Sequence, residues 1–460
     1  MIDFLFTKTP LLFLVQNFWR DEAFTYVVSR NNIGDIIKLT AGDFNPPLYY
    51  VLIHYWMMVF GSSEFAMRML SFTFFIATAY VAYLIMHTVW KISEKKSIIY
   101  VGLFLFNPFL LTYAFEARMY SMLAFFASLS YYAFLTKKRR LNIASCVLGL
   151  YTHYFMVFIL LTQAIDYFTS QEAMMFFARI FNLNKAKHFF TDVKKSIVKD
   201  WFMITLWFLP WIMYVFYNHD FSSQDFWVTV PPFKDIIYIP FVLFTSYERV
   251  FGKYYHQEAG FTTAHMRLLI ILVFIVFVGF LFWKKFKNRS HIKSLLLWSF
   301  VTPVILFSLS FVTTPYYVPR YFIASAVGFM LLLIYSIESM RIHPLQILVI
   351  FVLLSNTWSF HVLNLKYRSK RTVKTMYAEI ASLTKPIDYI YLTDELDFHL
   401  AQYYFRHDAQ IKLFNASYEE LPQYIGKITI SPENLTTTIP TYPSKAFVVY
   451  YDHFDILSQH

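Results

Sequence analysis

The sequence predicts a mainly α-helical, polytopic membrane bundle of about eleven transmembrane helices. Amphipathic juxtamembrane helices in the first outer loop and a small C-terminal extracytoplasmic α/β domain complete the expected architecture. Three observations predict it. Of 460 residues, 57% are hydrophobic and 15% charged, and the mean hydropathy is +0.45, which is too little charge to cover a soluble chain of this length. Apolar runs of roughly 17 residues or more recur along the chain. Basic residues gather in alternate connections between those runs.

Spans are read near residues 4–18, 68–90, 97–113, 119–136, 141–152, 154–168, 201–217, 266–283, 295–312, 321–339 and 344–363. The first is short for a crossing of about 20 residues and carries Lys8, so either this helix is thinly anchored or the natural start lies upstream. One set of loops holds Lys91, Lys95 and Lys96, then Lys137 to Arg140, then Lys185 to Lys199, then Lys284 to Arg289, then Arg341. The positive-inside rule makes that set cytoplasmic. It places residues 19–67, 114–118, the turn at His153, 218–265, 313–320 and the tail after 364 outside.

Within 19–67, the run Pro47 to Phe60 is expected to lie as a helix in the interface, because it is short and carries His54. Residues 218–265 form a long aromatic loop of the kind that covers a site. The chain divides into a membrane unit, 1–364, and an outer α/β domain, 365–460. The latter is expected to hold strands at 389–393, 427–431 and 446–451 and a short helix at 397–406.

The formal charge of +11 does not indicate nucleic acid, since it is spread over short juxtamembrane clusters that face anionic lipid. The single cysteine, Cys146, sits in an apolar run, so no intramolecular disulfide forms. The chain has no P-loop, no glycine-rich dinucleotide turn and no HExxH motif. The cytoplasmic loops are too short for a nucleotide-binding domain.

Candidate chemistry gathers on the outer face. Asp21 and Glu22 follow the first span directly, which puts a carboxylate at headgroup level, where partial desolvation strengthens it as a base and a neighbouring Arg keeps it ionised. Asp43 and Asn45 stand in a turn stiffened by Pro46 and Pro47. Glu116, Arg118 and Tyr120 lie in a hairpin of a few residues, where charges are costly unless paired or functional. His153 tips another hairpin, where an imidazole can meet a metal or a sugar hydroxyl. Arg320 and Tyr321 open a late span, and a guanidinium there suits bidentate capture of a phosphate. Each also has a plainer structural reading: helix caps for Asp21, Glu22, Asp43 and Asn45, a local ion pair for Glu116 and Arg118, a packed core histidine, and an arginine snorkelling to headgroups.

Taken in order, Trp19 to Ala23, Asn45 to Tyr50, Gly61 to Arg68, Glu116 to Tyr120, His153-Tyr154 and Pro319 to Tyr321 resemble the GT-C superfamily of lipid-linked-sugar glycosyltransferases. The likeness is to the bacterial branch similar to protein O-mannosyltransferases and lipid A aminoarabinose transferases (glycosyltransferase family 39 type), over residues 1–340. The resemblance implies inverting transfer of a sugar from a polyprenyl-phosphate donor to a glycan, lipid or protein acceptor at the outer face of the cell membrane. It gives Asp21 the role of general base with Glu22 its neighbour. Arg118, Arg320 and Tyr321 would face the donor phosphate, and Asp43, Asn45, Glu116, Tyr120 and His153 would line the substrate site. Some members bind a divalent metal; no ligand set stands out in this sequence, so a metal is left open. Two other classes remain: a transporter or flippase of lipid-linked sugars, which would place polar groups at the bilayer midplane, and a scaffold presenting the outer domain.

Overall fold

The structure is a computed structural model that describes every residue except 1, 44, 170–196, 219–226, 247–248, 251–252, 255–265, 276, 278–288, 341, 406–409 and 423–424. Among the described residues, five helices are long and apolar enough to cross a membrane: Glu64–Val89, Val198–Asn218, Ser290–Leu309, Pro319–Ser339 and His343–Tyr367. A sixth crossing is made if Glu94–Leu105 and Pro108–Ala114, bent by 69°, count as one. The bend has a sequence cause. Pro108 cannot continue the helix before it, Asn107 caps the new one by accepting from Leu110 N at 2.8 Å, and His361 Nε2 meets the freed Phe106 carbonyl at 2.9 Å. Shorter apolar helices, Tyr120–Leu135 and Met156–Phe168, occupy two more of the expected spans, and Arg139–Thr152 a third. The span expected at 266–283 is helical over Met266–Ile275, and most of its remainder lies outside the described residues. The expected span at 4–18 is two short helices, Ile2–Lys8 and Leu12–Val15, broken around Pro10.

The Ile323–Ser339 helix is the centre of the bundle, and its composition requires that. It is apolar on all sides, so it is stable only when surrounded, and Ile323 through Ile334 are buried without interruption. Arg289–Leu309 and Tyr120–Leu135 pack on it. Gly328 permits a close approach: a Cβ there would stand 2.7 Å from Trp298 Cγ, whose ring stacks on Tyr131 at 4.0 Å with 4° between planes. Acids and bases near the bundle's other connections are paired, Lys293 with Asp166 at 2.8 Å and Lys96 with Glu338 at 2.8 Å.

Three helices fill the first outer loop: Arg20–Ser29, Ile33–Gly42 and Leu48–Phe60. The last matches the helix expected after Pro47. Met58, Val59 and Phe60 at its end are exposed, an apolar patch suited to a lipid interface.

The C-terminal part is a five-stranded sheet in the order Leu435–Thr436, Gln410–Phe414, Tyr389–Leu392, Ala446–Val449, Phe454–Leu457, parallel except for the antiparallel last strand. The central strands read Tyr-Ile-Tyr-Leu and Ala-Phe-Val-Val, apolar enough to be covered on both faces. The segment expected as a strand at 427–431 is instead a 3₁₀ turn over Lys427–Thr429. Gly426 takes a φ of +81°, and both Thr429 N and Thr429 Oγ1 donate to its carbonyl, which closes the chain on itself. The expected helix at 397–406 is observed at Phe398–Tyr404, and it carries the docking of the domain. It packs on Arg20–Ser29; Tyr403 Oη donates to Ser62 O at 3.0 Å, and Tyr404 Oη to Glu64 Oε1 at 3.1 Å. The C-terminal domain is thus seated on the helix that bears Asp21.

Candidate active site

Trp19 is extended and Arg20 begins a helix, a local break that places Asp21 and Glu22 in the first turn, where the helix dipole favours anions. Their environments then diverge. Glu22 is fully buried and saturated with donors: Arg68 Nε and a second Arg68 nitrogen at 2.7 Å each, Lys370 Nζ at 2.6 Å, Ala117 N at 2.9 Å and Trp19 N at 3.3 Å. Arg68 spends its remaining donors on the Leu14, Gln16 and Asn17 carbonyls. Burial would raise the Glu22 carboxyl, but Arg68 and Lys370 hold it down to about 2. This acid ties its own helix start to Arg68, Ala117 and Lys370, four parts of the chain, and has no lone pair to spare.

Asp21 keeps a partly open side chain. Its Oδ1 accepts from Arg20 Nε at 3.1 Å and its Oδ2 from Arg320 at 2.9 Å. Burial works to raise its pKa, and Arg20, Arg118 and Arg320 together overcome that and hold it well below the usual carboxylate range. Arg320 also lies over the rings of Trp19, at 5.7 Å, and Trp227, at 5.2 Å. Trp227, from the segment 218–265, thus reaches the site.

The local ion pair between Glu116 and Arg118 does not form. Arg118 turns instead to the Asp21 carbonyl and Thr25 Oγ1, both at 3.3 Å, and to Tyr50 Oη at 3.1 Å. Glu116 is buried, and its Oε1 has no hydrogen-bond partner. Burial raises its pKa to about 7, with Glu22 and Asp21 adding to the rise against Lys370 and Arg320. Tyr120, His153 and Tyr321 form an aromatic wall, with His153 6.0 Å from Tyr120 and 5.7 Å from Tyr321 between ring centres. His153 Nδ1 accepts from Phe155 N across its own turn at 3.2 Å. Burial, reinforced by Arg118 and Arg320, lowers its pKa to about 3, so the imidazole is neutral.

Asp43 and Asn45 stand at the edge of this cluster and bond each other, Asn45 Nδ2 to Asp43 Oδ2 at 2.8 Å. Asp43 also lines a cavity of about 580 Å³, otherwise almost wholly apolar, between Leu150, Tyr154 and Leu160 on one side and Trp201, Phe208 and Val215 on the other. The cavity lies beside the Asp21 cluster rather than in it; Tyr50, which feels the Asp43 charge and bonds Arg118, stands between the two.

All ten residues singled out in the sequence therefore lie in or beside one cluster. Arg68, Lys370, Arg20, Tyr50 and Trp19 belong to it as well. Arg68 ends the Gly61 to Arg68 motif of the resemblance but had no role assigned to it, and Lys370, beyond the last span, had no signal of its own. Five cations, Arg20, Arg68, Arg118, Arg320 and Lys370, surround three carboxylates, Asp21, Glu22 and Glu116, so the cluster carries an excess of positive charge. Among the described residues no three His, Cys, Asp or Glu side chains converge on a point where a metal would sit, and Glu22 is already filled by Arg and Lys donors.

The crystal structure of ArnT from Cupriavidus metallidurans bound to undecaprenyl phosphate superposes on this chain with a TM-score of 0.59 at 11% identity, covering 97% of this chain and 93% of that one. This chain has the ArnT fold. The apo crystal structure of the same ArnT aligns over 95% of this chain and 91% of its own with a TM-score of 0.46 and 10% identity. No protein-family description and no curated protein matches the sequence. The likeness to ArnT extends over the bundle and the outer domain alike, and it agrees with the GT-C architecture that the ordered motifs resemble. A membrane protein of this fold accounts for the apolar helices.

Proposed function

We propose that the chain is a membrane glycosyltransferase. It transfers a sugar from a polyprenyl-phosphate donor to an acceptor hydroxyl at the outer face of the cell membrane, inverting the anomeric centre, with Asp21 as general base. The observation that carries this reading is the Asp21 carboxylate held ionised within a cluster of surplus positive charge. The ArnT fold supports the donor class, since the related crystal structure holds undecaprenyl phosphate.

The chemistry needs little else. The acceptor hydroxyl gives its proton to Asp21 as its oxygen bonds to the anomeric carbon, and the sugar–phosphate C–O bond breaks with its electron pair leaving on phosphate. Arg320 and Arg118 stabilise that departing charge. A carboxylate held so low is a weak base, but a phosphate that recruits Arg320 withdraws one of its depressing partners and restores basicity when the donor is bound. The apolar cavity beside Asp43 suits the chain of a lipid substrate, and Trp227 over Arg320 limits water at the phosphate.

Asp21→Asn in purified protein tests the role of the base. Sugar transfer from polyprenyl-phosphate donors is expected to fall by roughly 10²–10⁴-fold, with binding of the carrier phosphate retained. Transfer at the normal rate would remove Asp21 from the mechanism.

A further inference from the structure

Buried polar atoms are almost always bonded, because an unmet donor or acceptor loses its hydration without compensation. Three exceptions stand together in the Asp21 cluster: Glu116 Oε1, Arg118 Nε and Trp19 Nε1. Glu116 and Arg118 are 8% and 6% exposed, so water does not satisfy them from outside. The Trp19 ring lies against Arg320 and Lys370, and the Glu116 charge acts on the same two cations, so the unmet groups share one neighbourhood of the cluster.

Their chemistry selects what meets them. Glu116 needs a hydrogen-bond donor, whereas the Arg118 guanidinium and the Trp19 indole N–H need acceptors. A phosphate offers acceptors only and would be repelled by Glu116. A polyprenyl chain offers neither. A ring of hydroxyls offers both. An ammonium would satisfy Glu116, but Arg320, Lys370 and Arg118 all act on this carboxyl and would oppose a further cation beside it.

We infer that Glu116 is the sugar-reading residue of the site, accepting a hydrogen bond from a ring hydroxyl of a neutral transferred sugar. Arg118 Nε and Trp19 Nε1 donate to that sugar's oxygens. The inference rests on the transferase reading and narrows its donor to polyprenyl-phosphate neutral sugars, excluding amino sugars.

The test is binding to the full-length protein in nanodiscs, using undecaprenyl phosphate, its mannosyl, glucosyl and arabinosyl derivatives, monodeoxy versions of each, and its 4-amino-4-deoxyarabinosyl derivative. At least one neutral glycolipid is expected to bind about 10- to 100-fold more tightly than the bare carrier, the range of one charge-assisted hydrogen bond. Removing one hydroxyl from that sugar should abolish the gain in the wild type, which needs no folded variant. Glu116→Ala should lose the same gain without weakening carrier binding, and Glu116→Gln should recover part of it; a purely structural role would weaken carrier binding too. An amino sugar preferred over every neutral one, or Glu116→Ala that keeps the gain, overturns the inference while the transferase reading stands. Failure of the wild type to bind carrier or glycolipid overturns the transferase reading, and this inference with it.

Discussion

Two neighbouring acids begin one helix, yet their surroundings give them different work. Asp21 is gripped by two guanidinium groups but remains partly open, while Glu22 is enclosed by Arg68, Lys370 and two backbone amides. Removing one partner of a buried pair leaves the other charge uncompensated, at a cost of about 3–5 kcal/mol. Glu22→Gln and Arg68→Leu should each lower thermal stability in detergent by that order, and the double variant should be less harmful than the sum of the two. The pH dependence follows from direction. The Glu22 carboxyl falls on folding to about 2, so its stabilisation is present above the ordinary carboxylate range and is lost as pH drops towards 2. Melting curves of wild type and Glu22→Gln taken from pH 6 to pH 3 should therefore converge; parallel curves would assign the acid no such role.

At the scale of elements, the site is positioned by helices that leave little freedom. The Ile323–Ser339 helix carries Arg320 at its outer approach and is fixed by Trp298 lying against Gly328. The methyl group of Gly328→Ala would fall 2.7 Å from the Trp298 ring, which is itself stacked on Tyr131. Overpacking of this kind costs about 1–3 kcal/mol. The variant should melt earlier, and donor KM should hold if the strain stays at Trp298; a raised KM would show that it reaches Arg320.

For the whole molecule, the C-terminal domain and residues 19–67 pack as one unit. Tyr403 and Tyr404 bind it to Ser62 and Glu64, and Lys370, just beyond the last membrane helix, reaches Glu22. Sidedness is open to direct measurement because the chain's one cysteine, Cys146, is buried. In a Cys146→Ser background, cysteines at the exposed positions of Asp35→Cys and Glu419→Cys should react with an impermeant maleimide in intact cells. Lys95→Cys should react only after permeabilisation. Labelling of all three from one side would overturn the topology.

The amino-acid sequence by itself determined that the chain is a helical membrane protein with an α/β tail. Length, hydropathy and loop charge are summed along the chain, and a bilayer reads them in that same one-dimensional order. Local signals were read in part: the apolar runs at 389–393 and 446–451 became strands, whereas the break at Asn107 and Pro108 lay unread inside the span expected at 97–113. The strand expected at 427–431 failed because the left-handed Gly426 turns the chain, and alternation of side chains does not record a dihedral. Only the tertiary structure decided which charges meet. Arg68 and Lys370 are 46 and 348 residues from Glu22, and Arg320 is 299 from Asp21. Pairing over such separations is set by the packing of helices, which is why the sequence alone placed Asp21 and Glu22 side by side and the fold gave them different partners.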